Sequence, residues 1–408
     1  MAGNAPAVDE AGPSSSASPG GLPGGSTLPG AGGPRRPARK SRTTLTIVAI
    51  VAVVIIVVGG ATAYELATSK APSNPCASFT PQQLGANATP GQVSGNTTPN
   101  YAAATTLTNG PLATVPVGTT IQVVAGENFW GSLISQLGGN LTNVLSIVTN
   151  PNADPHDYEA NASDAAAISH ANLVVLNGVG YDDWATQLIQ SSDTSGQEVL
   201  NVGNLNGVSV TGGIVTGNPH QWYNPLYVNH TLLAMYSDLV ALQPASMSIF
   251  QQNFHNLNAS TGGGAQGVSI DQLYSRANQI RQQFAGTVVV STESIFVYLA
   301  NYTGLDLISP PEFMEAIAEG NDPPAASVAL FECQLESGNV RVMVYNIQTV
   351  NPITSTLESL AAQQPNVTVT YVSETIQPPD TSFQDWMYGQ YNSLINALNA
   401  AELGGTNP

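Results

Sequence analysis

The sequence predicts an α/β protein made of two similar halves, each a mostly parallel sheet flanked by helices. Two observations lead there. Short, continuously apolar runs such as Leu173-Val-Val-Leu-Asn and Arg341-Val-Met-Val-Tyr-Asn alternate with helical patterns, as expected of strands buried on both faces of a parallel sheet. A second start also repeats the first: Thr287-Val-Val-Val-Ser-Thr-Glu293 and the helical stretch after it follow the same course as the strand and helix around Glu127.

Along the chain, residues 1–42 are rich in Gly, Pro, Ser and Ala and predict a disordered cytoplasmic leader that ends in a basic cluster. Residues 43–63 hold no charge over a length that matches the roughly 20 residues of a bilayer span, so they predict a transmembrane anchor or signal. The positive charges from Arg35 to Arg42 place the leader inside and the rest outside, as a single-pass cell-membrane protein with an extracytoplasmic main domain. Ala61-Thr62-Ala63 has the small-x-small form of a cleavage site, so cleavage stays open. Residues 64–118 are again rich in Pro, Thr, Asn and Gly and predict a flexible stalk. Order is expected from 119, with strands near Thr120 to Ala125, Leu145 to Val148 and Leu173 to Asn177 separated by helices, giving a first lobe over 119–230. A helical linker over 231–285 is interrupted by the Gly-rich stretch at 261–267, and a second lobe follows over 286–408.

The charge balance narrows the function. Of nine Lys and Arg, six precede residue 71, and beyond it only Arg276, Arg281 and Arg341 face 24 acidic residues. Such a surface cannot neutralise a phosphate backbone, which excludes nucleic acid as a partner. Cys76 and Cys333 both fall in the exported part, where a disulfide can persist, but two cysteines alone leave their pairing open.

Asp154-Pro155-His156 and Asn218-Pro219-His220 place two of the five histidines in matching contexts. Each proline fixes its own φ and biases the preceding residue toward extended geometry, so each His is offered from a stiff corner. Divalent transition metals take imidazole nitrogen supplemented by carboxylate oxygen, and Glu293 and Glu374, each just past an apolar strand, are the best-placed acids. Ligands of open α/β sheets sit at those carboxyl ends. Asp157 and Glu159 are candidates to orient His156. Glu127 belongs either to the site or to the lobe surface. His170, His230 and His255 read as structural, and Trp184, Trp222, Trp386 and Tyr388 as core or lobe-interface residues.

The runs Val123-Val-Ala-Gly-Glu-Asn-Phe-Trp-Gly, Ala153-Asp-Pro-His-Asp-Tyr-Glu, Ala171-Asn-Leu-Val-Val-Leu-Asn-Gly-Val-Gly-Tyr, Pro219-His-Gln-Trp and Ser291-Thr-Glu293-Ser-Ile-Phe resemble the cluster A-I solute-binding proteins of zinc and manganese ABC importers. The resemblance spans about residues 119 to 400. It implies two lobes joined by a linking helix with one metal between them, held by His156, His220, Glu293 and Glu374. The metal is then transported cargo: zinc or manganese, with iron also compatible. The implied partner is an ABC permease, the chain a monomer and not an enzyme. The chain lacks the His-rich loop of many zinc-specific members, so zinc is not favoured on that ground, and two His with two Glu resemble the manganese-type set, although zinc would bind it well by the affinity order of the metals. A metal-dependent hydrolase or a surface adhesin on the same fold are the alternatives.

Overall fold

The computed structural model describes residues 74–85 and 112–404, apart from 153–154, 193–194, 209, 212–213, 216 and 260–266. The leader, the expected membrane segment over 43–63 and most of the expected stalk lie outside the described residues. Among the described residues no helix is long and apolar enough to cross a membrane.

The first sheet contains β1 (Ile121–Glu127), β2 (Thr142–Val148), β3 (Leu173–Leu176) and β4 (Glu198–Asn201), in the order β2-β1-β3-β4. The second contains β7 (Val288–Ser291), β8 (Asp306–Leu307), β9 (Val342–Asn346) and β10 (Thr368–Val372), in the order β10-β9-β7-β8. All pairings in both sheets are parallel. Numbered within its own half, each sheet has the same order, second strand, first, third, fourth. A two-residue antiparallel ribbon, β5 (Val210–Thr211) with β6 (Ile214–Val215), precedes the second histidine corner.

The helices of the first half are α1 (Asn128–Gly138), α2 (Ala162–His170), α3 (Asp183–Ser191) and the short α4 (Val202–Leu205). Next come α5 (Pro225–Leu242), α6 (Met247–Asn258) and α7 (Ile270–Phe284). α5 starts where Asn224 accepts from the Leu226 N–H with Pro225 in the first turn, and α7 where Ser269 and Gln272 form a reciprocal capping box. The stretch expected as a broken linker therefore holds three helices, α6 packing on α1 and α7 on α12 and α8. The second half adds α8 (Val297–Thr303), α9 (Pro311–Ala318), α10 (Ala325–Glu336), α11 (Pro352–Gln363) and α12 (Phe383–Gly404).

Strand alternation distributes the apolar side chains over three cores. Val124 and Val174 face Ile168 and Ile189 of α2 and α3 on one side of the first sheet. Val290 and Met343 face Phe331 and Leu357 of α10 and α11 on one side of the second. The remaining faces share a single core, in which Val123 and Val175 of the first sheet join Val289 and Val344 of the second through Leu133, Leu239, Ile280 and Tyr391. Trp222 and Trp386 are buried in it and Tyr388 packs against it, while Trp184 packs beside the α2–α3 cluster.

Part of the segment expected as a stalk is docked. A 3-10 turn, Pro75–Ser78, is fastened to α10 by a Cys76–Cys333 disulfide. Gln334 and Asn339 donate to the carbonyls of Gln83 and Leu84 at 3.0 and 2.8 Å.

Candidate metal centre

In a sheet of this order the crevice opens between the first and third strands, where successive connections leave in opposite directions. That places the two crevices at the carboxyl ends of β1 and β3 and of β7 and β9. The residues that meet there are His156, from a 3-10 turn after β2, His220, from the corner after β6, Glu293 just past β7, and Glu374 just past β10. Asp154, which opens the first Pro-His motif, lies outside the described residues.

Ligand atoms of His156, His220 and Glu374 all lie within 4.8 Å of one another. His156 Nε2 is 3.3 Å and His220 Nε2 3.7 Å from Glu374 Oε2, and His220 Nε2 is 3.5 Å from Glu293 Oε1. The side chains of His220, Glu293 and Glu374 are wholly buried, and that of His156 is 19% exposed. Among the described residues, every ion pair within 4 Å belongs to this cluster, and no Lys or Arg takes part.

His220 is oriented from behind. His220 directs Nδ1 at Asn218 Oδ1, 2.7 Å away, which also accepts from the His220 backbone N–H at 2.9 Å. An acceptor at Nδ1 fixes the tautomer that leaves the Nε2 lone pair free, and Nε2 has no hydrogen-bond partner. Asn218 in turn donates to the Ser294 carbonyl at 2.6 Å and its own carbonyl accepts from Tyr298 at 2.9 Å, so the His220 corner is tied to the second half. From the first half, Asn177 donates to the Pro219 carbonyl at 2.8 Å while accepting from Trp130 Nε1 at 3.1 Å. His220 lies edge-on to Trp222, which stacks on Phe129 at 4.0 Å between ring centroids.

Burial pushes the Glu293 carboxyl up, with His220 pulling the other way and the second carboxylate, Glu374, adding to the rise. Burial works against the Glu374 charge too, but the His156 and His220 imidazoles outweigh it and hold this carboxyl well below the usual range. Glu374 Oε2 also accepts from Tyr181 at 2.8 Å, and the Tyr181 ring meets the His156 ring edge-on at 4.7 Å.

Tyr181 is placed by an unusual turn. Gly178, Val179 and Gly180 have φ of 74°, 59° and 80° in succession. For a β-branched residue the left-handed region is strained, and such strain persists only where the surroundings over-determine it. Asp182 supplies that constraint, accepting from the backbone N–H of Asn177 and Gly178 at 2.6 and 2.8 Å. A side chain at Gly178 would also come within 2.3 Å of Asn201.

The sequence reading did not single out Tyr181, Asn218, Asn177 or Asn346. Asn346, at the end of β9, donates to Glu293 Oε2 at 3.1 Å and to Glu374 Oε1 at 2.7 Å. Asp157 and Glu159, expected to orient His156, are exposed, and His156 is instead flanked by Tyr181 and Glu374. Glu127 is fully buried, pushed well up by burial and by neighbouring Asp182, and its oxygens accept no hydrogen bond. It belongs to a buried carboxyl pair inside the first half, not to the lobe surface. His170 and His255 lie on exposed stretches of α2 and α6, and His230 is buried in α5 with Nδ1 3.0 Å from Asn206.

His156, His220 and Glu374 are the group that could hold a metal ion, and Glu293 falls outside that mutual grouping, approaching it through His220 Nε2 at 3.5 Å. Residues 123–397 match the family model described as zinc-uptake complex component A, periplasmic. A manganese-binding lipoprotein of Halalkalibacterium halodurans is 26% identical over 137 residues, covering 33% of this chain and 44% of that protein. A high-affinity zinc uptake system protein of Bacillus subtilis is 20% identical over 262 residues, covering 60% and 77%. The match thus spans less than half the length of the manganese-binding relative. A manganese-bound periplasmic metal-binding protein from Candidatus Liberibacter asiaticus superposes with a TM-score of 0.54 at 15% identity, covering 69% of this chain and all of that one, a likeness of fold.

Proposed function

Because this chain belongs to the family of periplasmic zinc-uptake complex component A proteins, we propose that it is the extracytoplasmic solute-binding component of an ABC importer, capturing a divalent transition metal and passing it to a membrane permease. The single observation that carries this reading is the convergence of His156, His220, Glu293 and Glu374, three of them wholly buried, with no Lys or Arg among their ion pairs. Two buried carboxylates are costly unless a cation compensates them, and a divalent ion held by two neutral imidazoles and two carboxylates gives a neutral centre. The metal is cargo, zinc or manganese with iron also compatible, and no reaction is implied. In this reading the lobes are 119–230 and 286–408, with 231–285 between them, and the chain is a monomer held at the membrane through residues 43–63.

The test is the metal content of the purified full-length chain and of a His156→Ala, His220→Ala double variant. The expected result is about one equivalent of metal in the first and none in the second. Failure of the parent protein to take up zinc, manganese or iron after soaking would overturn the reading. Family membership does not favour the hydrolase and adhesin alternatives.

A further inference from the structure

Asn346 occupies a position whose consequence goes beyond holding two acids in place. It is fully buried at the crevice end of β9, and both faces of its amide are committed. Its Oδ1 accepts from the Gln348 backbone N–H at 3.1 Å, which fixes the amide orientation and turns Nδ2 toward the site. The two Nδ2 hydrogens then divide between Glu293 Oε2 and Glu374 Oε1. The opposite oxygens, Glu293 Oε1 and Glu374 Oε2, are the ones that face the histidines. Ser294 Oγ on Glu293 Oε1 at 2.9 Å and Tyr181 on Glu374 Oε2 complete the cradle.

Resting on the metal-receptor reading above, we propose that Asn346 is a specificity-determining positioning residue that makes both glutamates bind through one oxygen each and so favours zinc over manganese. A carboxylate can offer one oxygen or two, and that choice decides how many donors an ion receives. With one oxygen of each acid held by a shared amide, the protein supplies two nitrogens and two oxygens, a four-donor set of the kind tetrahedral zinc takes. Manganese prefers a larger shell rich in oxygen, and the two further carboxylate oxygens that would enlarge this one are those held by Asn346. The same register in the first sheet makes the contrast plain. Continuing the β1–β3 and β7–β9 pairings past their last partners sets Glu127 opposite Asn177 and Glu293 opposite Asn346. Asn177 is taken up by Trp130 and Pro219, and Glu127 by Asp182, so only the second sheet uses the pair to hold a carboxylate at the crevice.

The experiment loads the full-length chain and its Asn346→Ala and Asn346→Asp variants with Co²⁺, Zn²⁺ and Mn²⁺ separately. It records cobalt d–d absorption, the cobalt coordination number by X-ray absorption, and the ratio of zinc to manganese affinity. Parent protein should show the intense bands and four-donor shell of tetrahedral cobalt. Both variants should show weaker bands, a larger shell and a zinc-to-manganese ratio lower by tenfold or more. A variant that merely loosens the fold lowers both affinities together and leaves their ratio unchanged, and an unchanged ratio in both variants overturns the proposal whatever the bands do. Five or six donors around cobalt in the parent also overturns it, whether or not either variant folds. A parent protein that binds no metal at all instead sinks the receptor reading, which separates the two failures.

Discussion

Removing the Cys76–Cys333 bridge tests whether the docked N-terminal segment contributes to the stability of the whole exported unit. The cysteines are 257 residues apart, so the bridge closes most of that unit into one loop. Chain-entropy bookkeeping for a loop of this length gives a stabilisation of about 5.5 kcal/mol at 25 °C, which is a ceiling because real denatured chains are already compact. A Cys76→Ala, Cys333→Ala double variant avoids leaving one thiol free. Gln334 and Asn339 still hold the Gln83 and Leu84 carbonyls, so the segment itself need not detach. The expected loss is about 2–5 kcal/mol, which at about 2 °C per kcal/mol for a unit of this size lowers Tm by about 4–10 °C. The assay is thermal and guanidinium unfolding with chelator present, so that bound metal does not mask the change, followed by two coincident probes. A midpoint that moves by less than about 1 °C would refute the loop-closure reasoning.

Two further outcomes follow from the polar interior. Asn177→Ala frees the Pro219 carbonyl and leaves Trp130 Nε1 without its acceptor, so metal affinity should fall about 10- to 100-fold in a competition titration while His220 itself is unchanged. Asp238, buried in α5, has its carboxyl pushed up to about 8 by burial and by the charge of Glu198. A folded pKa above the unfolded value near 3.9 means that its contribution is complete below about pH 4 and is lost as pH rises toward about 8. Asp238→Asn should therefore raise stability above pH 8, by up to about 5 kcal/mol, and leave it nearly unchanged at pH 4, read as Tm against pH beside the parent.

The four converging groups are readable from sequence because each follows a feature with a physical cause. The prolines at 155 and 219 stiffen the corners, and Glu293 and Glu374 end apolar strands in a fold that gathers strand ends at one crevice. Asn346 carries no such signal, since an Asn after a strand reads as a turn residue, and only tertiary placement sets it between two acids. Tyr181 is equally silent, because its position depends on three successive left-handed residues of which Val179 is the least expected. Of the fold, the apolar strands Leu173–Leu176 and Val342–Asn346 stand out, whereas Glu198–Asn201 is four residues long and begins with an acid. Leu307 belongs to a strand of only two residues, too short for any periodicity to mark. Pairing of Cys76 with Cys333 depends on where residues 74–85 dock, which no local pattern encodes.

The apolar core common to both sheets bears on how a bound ion escapes. A receptor of two independent lobes can swing apart on a hinge and spill its cargo. Here Leu239, Ile280 and Tyr391 lie in one core with valines of both sheets, and parting the halves would wet them at about 25 cal/mol per Å² of apolar surface. The side chains of Glu293, Glu374 and His220 are at 0% exposure, while His156, 19% exposed, stands on a single 3-10 turn. In the receptor reading, His156 is the one proposed donor that meets solvent, so exchange of the cargo would begin at that imidazole without wetting the shared core.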